Sequence, residues 1–335
     1  MASHTTAAPE RRTGRPPVAI PATMRAAAID RFGGPDAIRL HTLPVPEIDE
    51  RGVLIAVHTC GVAGWDADMR EGWSPTGGTK FPFVLGTDGS GTVVKLGSRV
   101  RRFEIGDKVY AASFEKAGWY AEYVAVGSHQ AARLPQGLDL THAGAIPIVG
   151  ATALPGIDDV LHVKRGEDIV VHGASGGVGS LALQFAKQRG ARVLATGPGD
   201  DGVAFVRRLG ADAAVDGRHG DLETAARQFA PDGIDAVLAL VGGEQLERCL
   251  RAVRPGGRVA YPEGVEPAPR KRRGIEVLSY NGSFESADLE RLGRATHAAK
   301  LKIPIAARYP LEEAAQAHVR LAQGHVFGKI ILRIG

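Results

Sequence analysis

The chain has 335 residues, 44% apolar and 23% charged, with a formal net charge of +4, which permits two domains and a sizeable core and excludes a disordered chain. Its longest apolar stretch, Ala145 to Ile157, is broken by Pro147, Gly150, Pro155 and Gly156 and falls short of the roughly 20 residues that cross a bilayer, so no membrane partner is expected. Two cysteines, Cys60 and Cys249, cannot build a disulfide framework or a four-cysteine zinc lobe, and a reducing, cytoplasmic setting is the simplest reading.

Residues Met1 to Thr23 are rich in Ala, Thr, Pro and Arg, lack apolar periodicity and read as a disordered tail. From Met24 come short strand-like runs, Arg25 to Ile29, Val53 to Val57, Gly91 to Val94 and Lys108 to Ala111, separated by Gly and Pro turns. That spacing predicts a compact, mostly β unit. After about Pro147 the pattern changes to alternating strands and helices. Strand-like Asp168 to Val171 precedes a glycine-rich turn, amphipathic Leu181 to Arg189 and strand-like Arg192 to Thr196. The alternation continues through helical Val203 to Leu209, strand-like Ala213 to Val215 and Ile234 to Leu238, helical Gln245 to Val253, and strand-like Arg258 to Tyr261. A twisted parallel sheet with helices on both faces follows. Beyond Ser286 the chain returns to helices, including Leu311 to Ala322, and ends in strand-like Lys329 to Ile334.

The turn reads Val170-Val171-His172-Gly173-Ala174-Ser175-Gly176-Gly177-Val178-Gly179. It follows a strand and opens a helix inside one βαβ unit, the context in which glycines let a backbone approach a pyrophosphate. Gly176 gives that access, Gly179 lets helix and strand pack closely, and the helix N-terminus offers free N–H groups and a positive dipole. Dinucleotide binding is the reading. Thr196, at the end of the second strand, stands where an NAD site usually carries an acid for the ribose hydroxyls, which favours NADPH over NADH. The adjacent acids Asp200 and Asp201 argue the other way, leaving Arg207, Arg208 or Arg218 as candidate phosphate partners.

The β-rich first part, Gly86-Thr87-Asp88-Gly89-Ser90-Gly91, Gly106-Asp107-Lys108-Val109, the glycine fingerprint, Gly210-Ala211-Asp212 and Gly328-Lys329-Ile330 form an ordered series. Over essentially Met24 to Gly335 it resembles the zinc-independent, zeta-crystallin-like quinone oxidoreductases of the medium-chain dehydrogenase/reductase superfamily. The resemblance implies an α/β protein with a GroES-like β-rich catalytic domain from residues 24–147 and 286–335. A doubly wound Rossmann domain, residues 148–285, is inserted between them, and a homodimer pairs through Ile275 to Tyr280. It also implies that the catalytic-zinc positions of related alcohol dehydrogenases are occupied by Ala63, Thr87 and Ile148, with Asp88 where a Glu would be. No zinc is expected. Without a Lewis acid, hydride delivery from NADPH to an electron-poor small molecule, a quinone or an α,β-unsaturated carbonyl, is the expected activity. Enoyl-thioester reduction and a nonenzymatic NADPH-dependent sensor are the alternatives.

By the same resemblance Thr152 lies near the nicotinamide ribose, Val241-Gly242-Gly243 line the cofactor cleft and Lys329 closes it. Ser175, Gly176, Gly177, Val178, Gly179, Thr196 and Arg218 complete the expected cofactor set. The chain departs from the family at Gly61-Val62-Ala63-Gly64-Trp65-Asp66, which lacks the usual Asn, and at Gly217, where a Tyr often flanks the ribose phosphate. Asp68 stands where some quinone reductases carry a Tyr and is read either as a general acid in the cleft or as the surface ion partner of Arg70. Trp65 and Trp73 either stack on a flat acceptor or fill the core beneath the loop. His58, His129, His172 and His325 share no metal-ligand spacing and read as hydrogen-bonded structural residues. The run Arg270-Lys271-Arg272-Arg273 reads as a solvated loop, and nucleic acid is not an expected partner.

Overall fold

The computed structural model describes residues 19–74, 77–113 and 118–335. Most of the expected tail, residues 1–18, lies outside them, and Thr23, placed in that tail by sequence, instead opens the first strand.

Strand β1 (Thr23–Ile29) pairs antiparallel with β2 (Ile38–Pro44). The long β3 (Gly52–Val62) is followed by helix α1 (Gly64–Glu71) and the short β4 (Phe83–Val84), which closes a three-stranded sheet in the order β2-β1-β4. Strands β5 (Asp88–Leu96), β6 (Lys108–Ala112), β7 (Tyr123–Gly127) and β8 (Ala131–Arg133) then build on β3. Their inward residues, among them Ile55, Val93, Val109 and Ala111, have no exposed surface, because alternation places every second side chain in one core. The short α2 (Leu140–Ala143) and α3 (Pro147–Pro155) lead out of this sheet; the broken apolar stretch is α3 and the turn after it, not a span. Among the described residues no helix is long and apolar enough to cross a membrane.

The nucleotide unit begins at β9 (Asp168–His172), whose Ile169, Val170 and Val171 are wholly buried. A strand covered on both faces takes such a continuous β-branched run. It continues through α4 (Gly177–Gln188), β10 (Arg192–Gly197), α5 (Gly199–Arg208), β11 (Ala213–Asp216), α6 (Leu222–Phe229) and β12 (Ile234–Ala239). Next come α7 (Glu244–Cys249), β13 (Val253–Pro262) and β14 (Glu276–Tyr280). All pairs are parallel, in the order β11-β10-β9-β12-β13-β14. The switch of direction between β9 and β12 is where such a sheet opens a ligand crevice. The helix read as Gln245 to Val253 is shorter than expected: it tightens into a 3-10 turn at Leu250–Ala252, and Val253 already pairs in β13.

The chain then returns with α8 (Ser286–Ala299), β15 (Ile305–Pro310), α9 (Ala314–Ala322) and β16 (Lys329–Arg333). Strand β16 inserts between β15 and β3, so the last residues complete the seven-stranded sheet begun by the first third of the chain. One buried cluster runs through both units: Ile146, Val149 and Leu154 of the α3 region, Leu289 and Leu292 of α8, Leu181 of α4, and Val171 and Leu238 of the parallel sheet.

Candidate active site

A cleft of about 1540 Å³ runs between the parallel sheet and the first unit. One wall is the glycine turn. Gly173 has φ +89°, a left-handed conformation that disfavours a side chain. A Cβ on Gly179 would sit 2.2 Å from the Gly173 carbonyl oxygen, so only glycine lets α4 start this close to β9. At Gly176 a Cβ would meet only that oxygen, at 3.8 Å, and the space before it is open. The N–H groups of Gly177, Val178 and Gly179, in the first turn of α4, have no acceptor within the helix and border the cleft. That cradle fits a diphosphate.

Thr196 also borders the cleft, but its hydroxyl accepts the Gly173 N–H at 2.8 Å and lies 3.1 Å from His172 Nδ1. It braces the turn from below. Burial pushes His172 down to about 4 from an ordinary 6.5, and His318 down to about 3. The unfolded chain therefore takes up these protons first, and the contribution of the two histidines to stability falls as pH drops below 6.5. In urea unfolding, the stability of His172→Asn relative to the wild type should rise by about 1.4 kcal/mol per pH unit as pH falls through that window.

Thr152 of α3 borders the cleft, with its hydroxyl donating to the Ile148 carbonyl at 2.9 Å. Ser175 and Arg218 line it too, and so does Val241, half exposed. Gly242 packs behind, where a Cβ would meet the Pro267 oxygen at 2.1 Å. Lys329 also lies behind the surface, its stem 3.1 Å from where a Cβ on Gly177 would be. The last segment is stitched to the turn by the Gly328 N–H donating to the Ser175 carbonyl at 2.9 Å.

The opposite wall comes from α1 and the residues after it: Trp65, Asp68, Glu71 and Trp73. The Trp65 indole N–H donates to Thr87 Oγ1 at 2.7 Å, fixing the ring edge-down over the floor. Trp73 is 50% exposed, so it does not fill the core beneath the loop. Asp68 is exposed in the cleft, and the expected ion pair with Arg70 is absent. Arg70 instead turns inward, 4% exposed, donating to the Gly33 carbonyl at 2.9 Å and to His318 Nδ1 at 2.7 Å.

That inward turn begins a buried polar chain that the sequence did not reveal. Because a guanidinium only donates, His318 Nδ1 accepts and Nε2 carries the proton, which it directs at the Tyr120 hydroxyl 3.1 Å away. Tyr120 in turn donates to Asp66 Oδ2 at 3.3 Å, and Asp66 also accepts the Ala63 N–H at 2.9 Å. Burial, against the pull of the Lys329 ammonium, pushes Asp66 up to about 7 and also raises Asp88. Asp88 Oδ1 and Lys329 Nζ are buried without a hydrogen-bond partner among the described residues. Both flank Gly61, where a Cβ would lie 2.5 Å from the one and 3.0 Å from the other. The ammonium also sits 5.6 Å from the Trp65 ring centre. The cleft floor is therefore backed by a compact cluster of two carboxyls and one cation.

At the positions implied for a catalytic zinc, Ala63 and Ile148 carry no donor atom and the Thr87 hydroxyl is occupied by Trp65. Asp88 Oδ2 accepts the Ile148 N–H at 3.1 Å. This set does not fit zinc, which takes thiolate, imidazole or carboxylate in a tetrahedron. Among the described residues no group of three or more His, Cys, Asp or Glu side chains is placed to hold a metal.

Comparison with known proteins agrees with this architecture. Residues 49–136 match the alcohol dehydrogenase GroES-like domain and residues 209–332 the zinc-binding dehydrogenase model. The quinone oxidoreductase of Homo sapiens is 31% identical over 322 residues, spanning 92% of this chain and 97% of the relative. The chloroplastic NADPH-dependent alkenal/one oxidoreductase of Arabidopsis thaliana is 32% identical, spanning 93% of this chain and 80% of the relative. The solved quinone oxidoreductase of Coxiella burnetii superposes with a TM-score of 0.84 at 31% identity, covering 93% of this chain and all of the other. The chain is an oxidoreductase and belongs to the quinone oxidoreductase family of the medium-chain dehydrogenase/reductase superfamily.

Proposed function

We propose that the protein reduces a quinone or an α,β-unsaturated carbonyl with NADPH and without a catalytic metal. The observation that carries this reading is the single cleft-wide juxtaposition of the glycine cradle with an aromatic wall, over a floor whose side chains do not fit zinc. When bound, the reduced nicotinamide supplies the hydride. Ser175 to Gly179 bind the diphosphate through backbone N–H groups, and Thr152 orients the ribose beside it. Arg218 recognises the 2′-phosphate, Val241 and Gly242 shape the nicotinamide end, and Lys329 closes the cradle. Trp65 offers its face to a flat acceptor and keeps water off the floor. Asp68, exposed at the mouth, is placed to return a proton to the enolate or quinol oxygen.

We place one domain at residues 24–147 with 286–335 and the other at residues 148–285, as the resemblance implies. Among the described residues β14 has a neighbour on one side only, and a homodimer through that edge satisfies its free N–H and C=O groups. A cytoplasmic location suits Cys60 and Cys249, both buried free thiols, the second pushed up to about 12 by burial.

Steady-state oxidation of NADPH with 1,2-naphthoquinone, a simple enone and an enoyl thioester tests the reading. Turnover with the first two, unaffected by chelator, is expected; intact NADPH binding without any turnover would reject it. Trp65→Ala should raise KM for the quinone at least about fivefold while leaving the NADPH dissociation constant in place, since an aromatic pair contributes about 1 kcal/mol beyond its area.

A further inference from the structure

At the far end of the cleft two segments distant in sequence meet beside the end of β10. Arg218 follows β11, and His325 lies in the loop between α9 and β16; both border the cleft next to Gly197 and Pro198. The His325 backbone is held at φ +54°, a left-handed conformation unusual for a residue with a side chain. Arg320 holds it there by donating to the carbonyls of Gly324 at 2.7 Å and His325 at 3.1 Å. The ring places Nε2 2.7 Å from Asp201 Oδ2 and packs on Phe327, which stacks on Phe205 of α5 with centres 5.2 Å apart. The loop is thus docked on the nucleotide unit rather than extended into solvent.

The Arg218 guanidinium enters no ion pair among the described residues, and its Nη2 lies 3.9 Å from where a Cβ on Gly324 would be, next to His325. The acids nearby are already engaged. Asp201 accepts from His325 and from the Gly202 N–H at 2.9 Å. Asp216 accepts the Arg218 N–H at 2.9 Å and lies 3.2 Å from His219 Nδ1. The Arg218 N–H is the main reason that Asp216 is held down to about 2. Thr196 brings no negative charge, and Gly217 puts no side chain beside it: a Cβ there would crowd the Thr196 Cβ at 3.1 Å.

We infer that His325, reaching over from the chain's last segment, is the second ligand of the coenzyme 2′-phosphate beside Arg218, with Asp201 as the carboxylate that orients its ring. This rests on the coenzyme reading above and deepens it. With Nε2–H committed to Asp201, Nδ1 is the ring nitrogen that donates to the phosphate, from the imidazolium. Asp200, Asp201, Asp216, His219, Arg218 and Arg320 are the charged or titratable groups that surround it.

Titration calorimetry with 2′,5′-ADP and 5′-ADP, both lacking nicotinamide, tests this on the full chain. His325→Gln should weaken 2′,5′-ADP about tenfold and 5′-ADP less than about twofold, as expected for one charge-assisted phosphate contact. Retained 5′-ADP binding shows that the variant is folded. Equal losses for both nucleotides, or an unchanged 2′,5′-ADP affinity, would overturn the inference while leaving the coenzyme reading intact. Failure of the wild type to bind either nucleotide would remove both.

Discussion

Replacing Gly179 by valine should abolish coenzyme binding and lower the thermal midpoint together. The added Cβ would fall 2.2 Å from the Gly173 oxygen and 2.6 Å from the Ala174 Cα, both backbone atoms that cannot swing aside. Either α4 moves outward or the turn changes path, and in both cases the free N–H groups of the first helical turn leave their common focus. Overpacking of a close backbone contact costs about 1–3 kcal/mol of stability. Loss of the aligned donors removes the anchor for a doubly charged diphosphate, so affinity should fall by at least about a hundredfold. Fluorescence titration with NADPH, alongside a melting curve, checks it. Gly176→Ala is the control: its Cβ would meet nothing closer than 3.8 Å, so folding should survive and only ligand approach should suffer.

Replacing Lys329 by methionine should destabilise the protein strongly at alkaline pH and little in acid. The ammonium is the cation that pulls down both Asp66 and Asp88 against burial. Removing one partner of a buried charge cluster leaves the others uncompensated, at a cost of about 3–5 kcal/mol. The sign with pH follows from the carboxyl. Asp66 ionises near 3.8 when unfolded and at about 7 when folded, so between these values the folded state holds the extra proton and the Asp66 contribution to stability falls as pH rises. Without Lys329 that fall steepens and extends upward. Urea unfolding should therefore show a large deficit for Lys329→Met near pH 8, shrinking toward zero near pH 5, whereas a deficit independent of pH would contradict the electrostatic account. The stability of Asp66→Asn relative to the wild type should rise with pH between about pH 4 and 7.

What the sequence disclosed follows the range over which each signal acts. The glycine turn was legible because its demands are local: a positive φ at Gly173 and a close approach at Gly179 are written in consecutive residues. Strand β9 and helix α4 were legible through their apolar patterns. Helix α7 was overrun because its apolar spacing continues through the 3-10 turn into Val253, and only pairing with Ile234 of β12 decides that Val253 is a strand residue. Strand β15 went unread: its side chains alternate only between half-buried and exposed, and it forms by pairing with β16. The Asp68–Arg70 pair failed for a geometric reason, since residues two apart on a helix do not face each other.

The candidate site divides the same way. Residues contributed by one short segment, Ser175 to Gly179 and Trp65 with Asp68, were found and do border the cleft. The buried chain from Arg70 through His318 and Tyr120 to Asp66 was not, because its members come from four parts of the chain and only the fold brings them within hydrogen-bond reach. His325 reads from the sequence as a hydrogen-bonded residue, but nothing near it in sequence says that its partner is Asp201.

The most direct test of metal-free hydride delivery is a single turnover with NADPH carrying deuterium at both C4 positions and a simple enone, on protein exhaustively treated with chelator. Deuterium at the β-carbon of the saturated ketone, at a rate equal to that of untreated protein, is the predicted result. Product without label, or a rate that collapses with chelator and returns with zinc, would contradict the account.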